Sequence, residues 1–191
     1  MYANVIDEKT KLVSVGDGTD TEFYKSIGME EMEVEQAYNG NWYIKGYAPT
    51  QPLDELKKAK LTEVDQWTAS KITGGFVSNC YNGENILYDT DTETQLTMTK
   101  ARTNCKSEKF AINFPKGMPC RGYRKFSQDE HGNFIFDKND KLIFLFTPEQ
   151  IIAWDEDFSL HLAKCKGEGW EKQAQVNACT TKEELEAIVL E

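Results

Sequence analysis

His161 and Cys165 stand four residues apart, a spacing that puts two side chains on one face of a helix, with Lys164 close by. A cysteine beside an imidazole can become a nucleophile when the base takes its proton. No acid to orient the imidazole and no glycine-rich oxyanion turn accompanies the pair, so His161 is read as a helical surface histidine. The other histidine, His131, sits in Asp-Glu-His-Gly-Asn, a loop signature. Asp89, Asp91 and Glu93 place carboxylates at alternate positions, as in the first half of a calcium loop. That loop needs glycine at its sixth position and glutamate at its twelfth, where this chain has Thr94 and Lys100. The cluster is therefore expected to be a turn and a helix start, with acids near the positive end of the helix dipole. Gly-x-Ser-x-Gly, phosphate-loop, dinucleotide and His-Glu-x-x-His motifs are absent from the sequence. No catalytic residue, metal ligand or cofactor is expected.

Cys80, Cys105, Cys120, Cys165 and Cys179 are an odd set at wide spacings with no C-x-x-C pair, which suits free thiols in a reducing cytoplasm. The net charge is −10, which at long range repels nucleic acid and anionic membrane. No apolar run approaches the ~18 residues of a membrane span. The opening MYANVIDEKTK does not read as a secretory signal, because its apolar stretch is short and runs into charge. Charge is unevenly spread. Lys100 to Phe126 holds eight basic residues and one acidic, net +7, so the rest of the chain carries −17. This band is read as neutralising the protein's own acids, with a face for an acidic partner as the other choice. Lys116, Arg121, Arg124 and Lys125 with Phe114, Tyr123 and Phe126 could bind phosphate and stack on bases. The overall charge opposes that, and nucleic acid is not an expected partner.

The elements that would position these groups form an α+β fold with a small N-terminal antiparallel β unit (1–49) and a mainly helical domain with short β-hairpins (50–191). Tyr2 to Ile6 and Leu12 to Val15 read as strands. Asn39-Gly40 lies between two alternating runs, the signature of a two-residue type I′ hairpin turn with positive φ at both central residues. Trp42 is expected to be a buried cross-strand aromatic of that hairpin. Thr50-Gln51-Pro52 opens a helix from Leu53 to Thr73-Gly74-Gly75. Phe76 to Ser78 and Ile86 to Tyr88 read as strands around Asn82-Gly83, and a helix follows Thr90 to about Cys105. Residues 104–133, with Pro115, Gly117, Pro119 and Gly122, read as an irregular basic insertion. Phe134 to Phe136 and Leu142 to Phe146 read as a second hairpin. Thr147-Pro148-Glu149-Gln150 is a capping box, followed by a stripe of Ile151, Trp154, Phe158, Leu162 and Cys165. Gly167-Glu168-Gly169 is a candidate kink, and Trp67, Trp154 and Trp170 fit helix packing. Thr181 to Glu184 is another capping box.

Two segments carry a resemblance. Phe23 to Pro49 contains Gly28-Met29, an acidic stretch, Gln36-Ala37-Tyr38, a turn, Trp42-Tyr43 and Gly46-Tyr47-Ala48-Pro49. It resembles the N-terminal part of small proteins encoded beside tail-fibre genes in tailed bacteriophages and prophages. From Leu53 onward, Gly75-Phe76, Tyr88-Asp89-Thr90-Asp91, the Phe146 to Trp154 stretch and Ala178 to Ile188 resemble a C-terminal domain of unknown function found in phage tail-associated proteins. The basic insertion departs from that pattern, and the resemblance brings no catalytic residues. It implies a non-enzymatic tail-fibre assembly factor or small tail component, with a tail-fibre or tail-tip protein as partner. The strands from Val34 to Tyr47, with Val34, Tyr38, Trp42, Tyr43 and Tyr47, are the expected contact residues. The implied place is the bacterial host cytoplasm during assembly, or the virion tail if the protein is retained. Self-association is a further expectation, with no membrane partner. The alternative from another class is a phage-encoded acidic inhibitor of a host enzyme. A hydrolase built on Cys165 or an acid pair stands last.

Overall fold

A computed structural model describes residues 1–190. The chain has an α+β fold and divides into two compact units, Met1–Leu56 and Lys57–Glu191. The first unit opens with β1 (Tyr2–Asp7) and β2 (Leu12–Val15). The Asp7 carboxylate closes their turn by accepting from the Lys9 N–H and the Thr10 hydroxyl, both at 2.8 Å. A short helix, α1 (Thr21–Ser26), follows; Asp20 caps it by accepting from the Phe23 N–H at 3.0 Å. Next come β3 (Glu30–Glu31), β4 (Val34–Gln36) and β5 (Trp42–Ile44). These make one antiparallel five-stranded sheet in the order β3-β1-β2-β5-β4.

The β4–β5 hairpin is where expected, but its turn differs. Gln36 pairs with Trp42, the Ala37 N–H donates to the Asn41 carbonyl at 2.8 Å and the Gly40 N–H to the Ala37 carbonyl at 3.0 Å. Of the Asn-Gly pair only Gly40 has positive φ, at 80°. The loop is thus three residues closed by a left-handed glycine. Asn39 works through its side chain: Oδ1 accepts from the Asn41 N–H at 3.0 Å and Nδ2 donates to the Tyr43 hydroxyl at 3.1 Å. β5 stops at Ile44, short of Tyr47, because the Glu35 carboxylate draws the next backbone off by accepting from the Gly46 N–H at 2.6 Å.

α2 (Leu53–Thr73) leads into the second unit. β6 (Phe76–Tyr81) and β7 (Glu84–Tyr88) turn at Asn82 and Gly83, with φ of 55° and 78°. The two-residue Asn-Gly turn with both residues left-handed is found here. Asp91 caps α3 (Thr92–Asn104), accepting from the Thr94 N–H at 2.9 Å. Thr90 is fully buried at this junction. Its hydroxyl donates to the Ile72 carbonyl at 2.6 Å and accepts from the Gly75 N–H at 2.9 Å, tying the end of α2 to the start of β6.

Residues 104–133 are not an irregular insertion. They contain α4 (Glu108–Asn113), β8 (Met118–Gly122) and β9 (Ser127–Gln128). Nor do Phe134–Phe136 and Leu142–Phe146 pair with each other. β10 (Phe134–Ile135) pairs with β9, and β11 (Leu142–Phe146) pairs with β8 from Leu142↔Gly122 to Phe146↔Met118. Proline and glycine hid β8, but alternation is present in it: Met118, Cys120 and Gly122 are buried, Pro119 and Arg121 exposed. Gly122 serves a close crossing. A Cβ there would come 2.9 Å from the Leu87 carbonyl oxygen, where Leu87 and Tyr123 exchange two backbone hydrogen bonds of 3.0 and 2.8 Å.

α5 (Pro148–Ala178) is 31 residues long and starts with the full capping box of Thr147 and Gln150. It runs as one continuous helix through Gly167 and Gly169. Its buried stripe of Ile151, Trp154 and Phe158 packs with Phe76, Tyr88 and Phe146 in the core. The Trp154 ring lies 5.1 Å from Phe76, edge to face, and 5.4 Å from Phe158. α6 (Lys182–Glu186) is capped by Thr181, while Glu184 reaches back to the Thr180 N–H at 2.7 Å.

Candidate functional site

The residues expected to contact a partner divide by burial. Tyr38 is 49% exposed and Tyr47 58%, while Val34 and Trp42 are half-buried. Tyr43 is 7% exposed and as folded offers a partner little surface. It fills the inward position that the sequence assigns to Trp42. Neighbouring residues on a strand face opposite sides, so one position decides which ring is covered. Tyr43 supports Asn39 from below the turn instead. The unit also exposes Phe23, within α1, and Ile27, at its C-cap. Their four-residue spacing is a helical signal, but α1 is too short for a period to show. β4 and β3 are the two edges of the sheet, three and two residues long. Exposed Glu30, Glu31 and Glu33 run along them, and Lys45 pairs with Glu33 at 3.0 Å, which holds the Glu33 carboxyl below its ordinary range.

In the second unit a groove of about 890 Å³ gathers both histidines with Asp157, Cys165, Lys71 and Glu168, over a floor that includes Phe76. His161 is not a surface histidine. It is half-buried, its ring stacks on Phe76 at 5.7 Å, and Nε2 lies 3.3 Å from the Lys71 carbonyl oxygen. The Cys165 sulfur is 3.6 Å from Nε2 and 4.0 Å from Nδ1. A position so nearly equidistant lies on neither nitrogen's lone-pair axis. Burial pushes the His161 pKa down, and burial followed by Glu168 pushes the Cys165 thiol up. Both rest neutral near pH 7, the state in which a thiol is a weak nucleophile. Asp157 accepts a hydrogen bond from the Ser78 hydroxyl, which in turn accepts from the Cys80 N–H at 3.0 Å. Lys71 and Glu168 pair across the groove at 2.8 Å.

The acidic cluster does local work. Asp89 forms an ion pair with Lys141, Asp91 is the α3 cap, and Glu93 lies in that helix's first turn. Among the described residues no group of three or more His, Cys, Asp or Glu is placed to hold a metal ion. All five thiols are free, and burial pushes Cys120 up to about 12. In the basic band, Arg124 pairs with Glu84 at 2.8 Å, Arg102 with Asp155 at 3.7 Å and Lys125 with Asp140 at 3.9 Å. Three of its eight cations thus meet the protein's own acids. Lys100, Lys106, Lys109, Lys116 and Arg121 are exposed. Trp154 is buried as expected, but Trp170, expected in helix packing, is 65% exposed. No described helix is long and apolar enough to cross a membrane. Comparison with protein-family models, with curated proteins and with solved structures gives no match.

Proposed function

We propose that this protein acts by protein–protein contact in a bacteriophage or prophage tail, as an assembly factor for the tail fibre or as a small component attached to it. The observation that carries this is the pair of exposed tyrosines, Tyr38 and Tyr47, at the β4–β5 end of a sheet whose edges are short and open. The resemblance of residues 23–49 to proteins encoded beside tail-fibre genes supplies the partner class. Fibre chains expose strand edges and apolar surface before they close, which makes the unassembled chain prone to aggregate. A small sheet could cover such an edge by strand addition. Tyrosine rings bring large amphipathic contact area at little conformational cost. The exposed glutamates of β3 and of the turn before β4 keep such a complex soluble.

A second reading, an acidic inhibitor that occupies a basic cleft of a host enzyme, is favoured by that same exposed row of Glu30, Glu31 and Glu33. Co-expression with the neighbouring fibre gene separates the two. The fibre reading expects higher soluble fibre yield or co-purification, weakened by Tyr47→Asp. A fibre equally soluble alone, with no capture of a tail protein, would move the inhibitor to first place.

A further inference from the structure

α5 has two apolar stripes, and the fold uses one. Ile151, Trp154, Phe158, Cys165, Gly169 and Val176 face the core. Leu160, Ala163, Gly167, Trp170 and Ala174 recur at steps of three, four, three and four, the seam spacing of a coiled coil. At about 100° per residue they centre on the opposite side of the helix. Leu160 is 70% exposed, Ala163 and Ala174 are exposed, and a Cβ added to Gly167 would meet nothing within 4 Å. Two large apolar side chains thus stand in water on a seam otherwise made of alanine and glycine, so the seam is a continuous apolar stripe.

We infer that this seam pairs with the same seam of a second copy, antiparallel, with the two-fold axis at Gly167. The order of sizes along the helix argues for it. Turned about Gly167, Leu160 faces Ala174 of the second copy, and Trp170 comes within one residue, about 1.5 Å along the axis, of the level of Ala163. Each large group thus meets a small one, and the backbones cross where glycine allows close approach. Charge fits the same register. Lys164 and Glu171 lie on one flank of the seam, both exposed. The two-fold sets Lys164 of each copy against Glu171 of the other, giving two ion pairs. Lys166, on the other flank, approaches its own counterpart, and its long stem can turn its ammonium to solvent. A parallel pair would instead stack Trp170 on Trp170 and leave Lys164 without Glu171. Isologous contact of this kind closes on itself and gives a dimer, not a filament.

Sedimentation equilibrium of the full chain tests this. The wild-type chain is expected to dimerise below about 100 µM, the weak range suited to a small interface. Trp170→Glu is expected to be monomeric there while keeping the parent's circular dichroism, since the ring is exposed in the single chain. Lys164→Glu is expected to weaken the dimer at least about tenfold, the scale of one lost ion pair plus a new repulsion. Adding Glu171→Lys to it is expected to restore the dimer. A monomeric wild type at that concentration, a Trp170→Glu dimer of unchanged affinity, or a double charge reversal no tighter than the single one would each overturn the proposal.

Discussion

Gly169 of α5 lies against Thr68 of α2 so closely that no side chain fits between them. A Cβ on that glycine would collide with the Thr68 hydroxyl oxygen and stand 3.0 Å from its methyl carbon. Gly167, two residues earlier and on nearly the opposite side of the helix, faces open space. Two glycines in one helix therefore have different reasons to be glycine, and substitutions should separate them. Gly169→Ala gains helix propensity but must push the two helices apart, for a net loss of about 1 to 3 kcal/mol. Gly167→Ala should gain up to about 1 kcal/mol in dilute solution, where the chain is monomeric. Urea unfolding of both variants checks the opposite signs.

How far the sequence foretold the fold can be followed at particular residues. The Thr147–Gln150 capping box, the stripe from Ile151 to Phe158, the α2 and α3 helices and the Asn82-Gly83 turn were legible, because each rests on local chemistry. β8 was not, because Pro119 and Gly122 look like loop residues until β7 and β11 are placed beside them. Pairing between β8 and β11 is non-local, and nothing in either segment names its partner. The exchange of roles between Trp42 and Tyr43 is a shift of one residue in a half-buried strand, where both choices satisfy the alternation. In the groove, the Cys165–His161 spacing is visible, and Asp157 stands one turn before His161 on the same helix, but Lys71 and the Ser78 that donates to Asp157 come from other elements. Trp170 fits a helix-packing period in the sequence, but exposed Leu160 and Ala163 define another through the same ring.

Thr90→Val should be costly although it conserves shape. The hydroxyl is the buried partner of both the Gly75 N–H and the Ile72 carbonyl. Leaving such groups unpaired costs about 1 to 3 kcal/mol. Serine in its place keeps the hydroxyl, so Thr90→Ser is expected to lose less. The comparison by thermal or urea unfolding isolates the hydrogen bonds from the packing.

Gly40→Val and Gly83→Val should each lose about 1 to 2 kcal/mol, since both glycines hold positive φ that a β-branched residue avoids. The losses should fall in different places. Hydrogen exchange should show Gly40→Val loosening amides of the first unit and Gly83→Val those of β6 and β7. Equal loosening of both units by either variant would contradict the two-unit division.

His161 should make stability depend on pH. Burial lowers its pKa below the ordinary 6.5, with the Lys71 carbonyl acting in the other direction. The folded chain therefore binds this proton less readily than the unfolded chain does. The stabilising contribution is complete above pH 6.5 and declines as pH falls through that value towards the folded pKa. Unfolding midpoints measured at about pH 7.5 and about pH 5.5 should differ more for the parent than for His161→Gln. An unchanged difference would place the imidazole in solvent.

The proposed function rests on Tyr38 and Tyr47 as contact residues and on Tyr43 as a support from within. Titration calorimetry of the purified protein against its proposed partner, a tail-fibre protein, tests that arrangement directly. Saturable binding is expected, weakened at least about tenfold by Tyr47→Asp, a loss of 1.4 kcal/mol or more, with the variant's melting temperature unchanged. Tyr43→Asp should instead unfold the N-terminal unit and lower the melting temperature along with the binding. Heat no greater than dilution for the parent protein, or a Tyr38→Asp/Tyr47→Asp double variant that binds like the parent, would contradict the account.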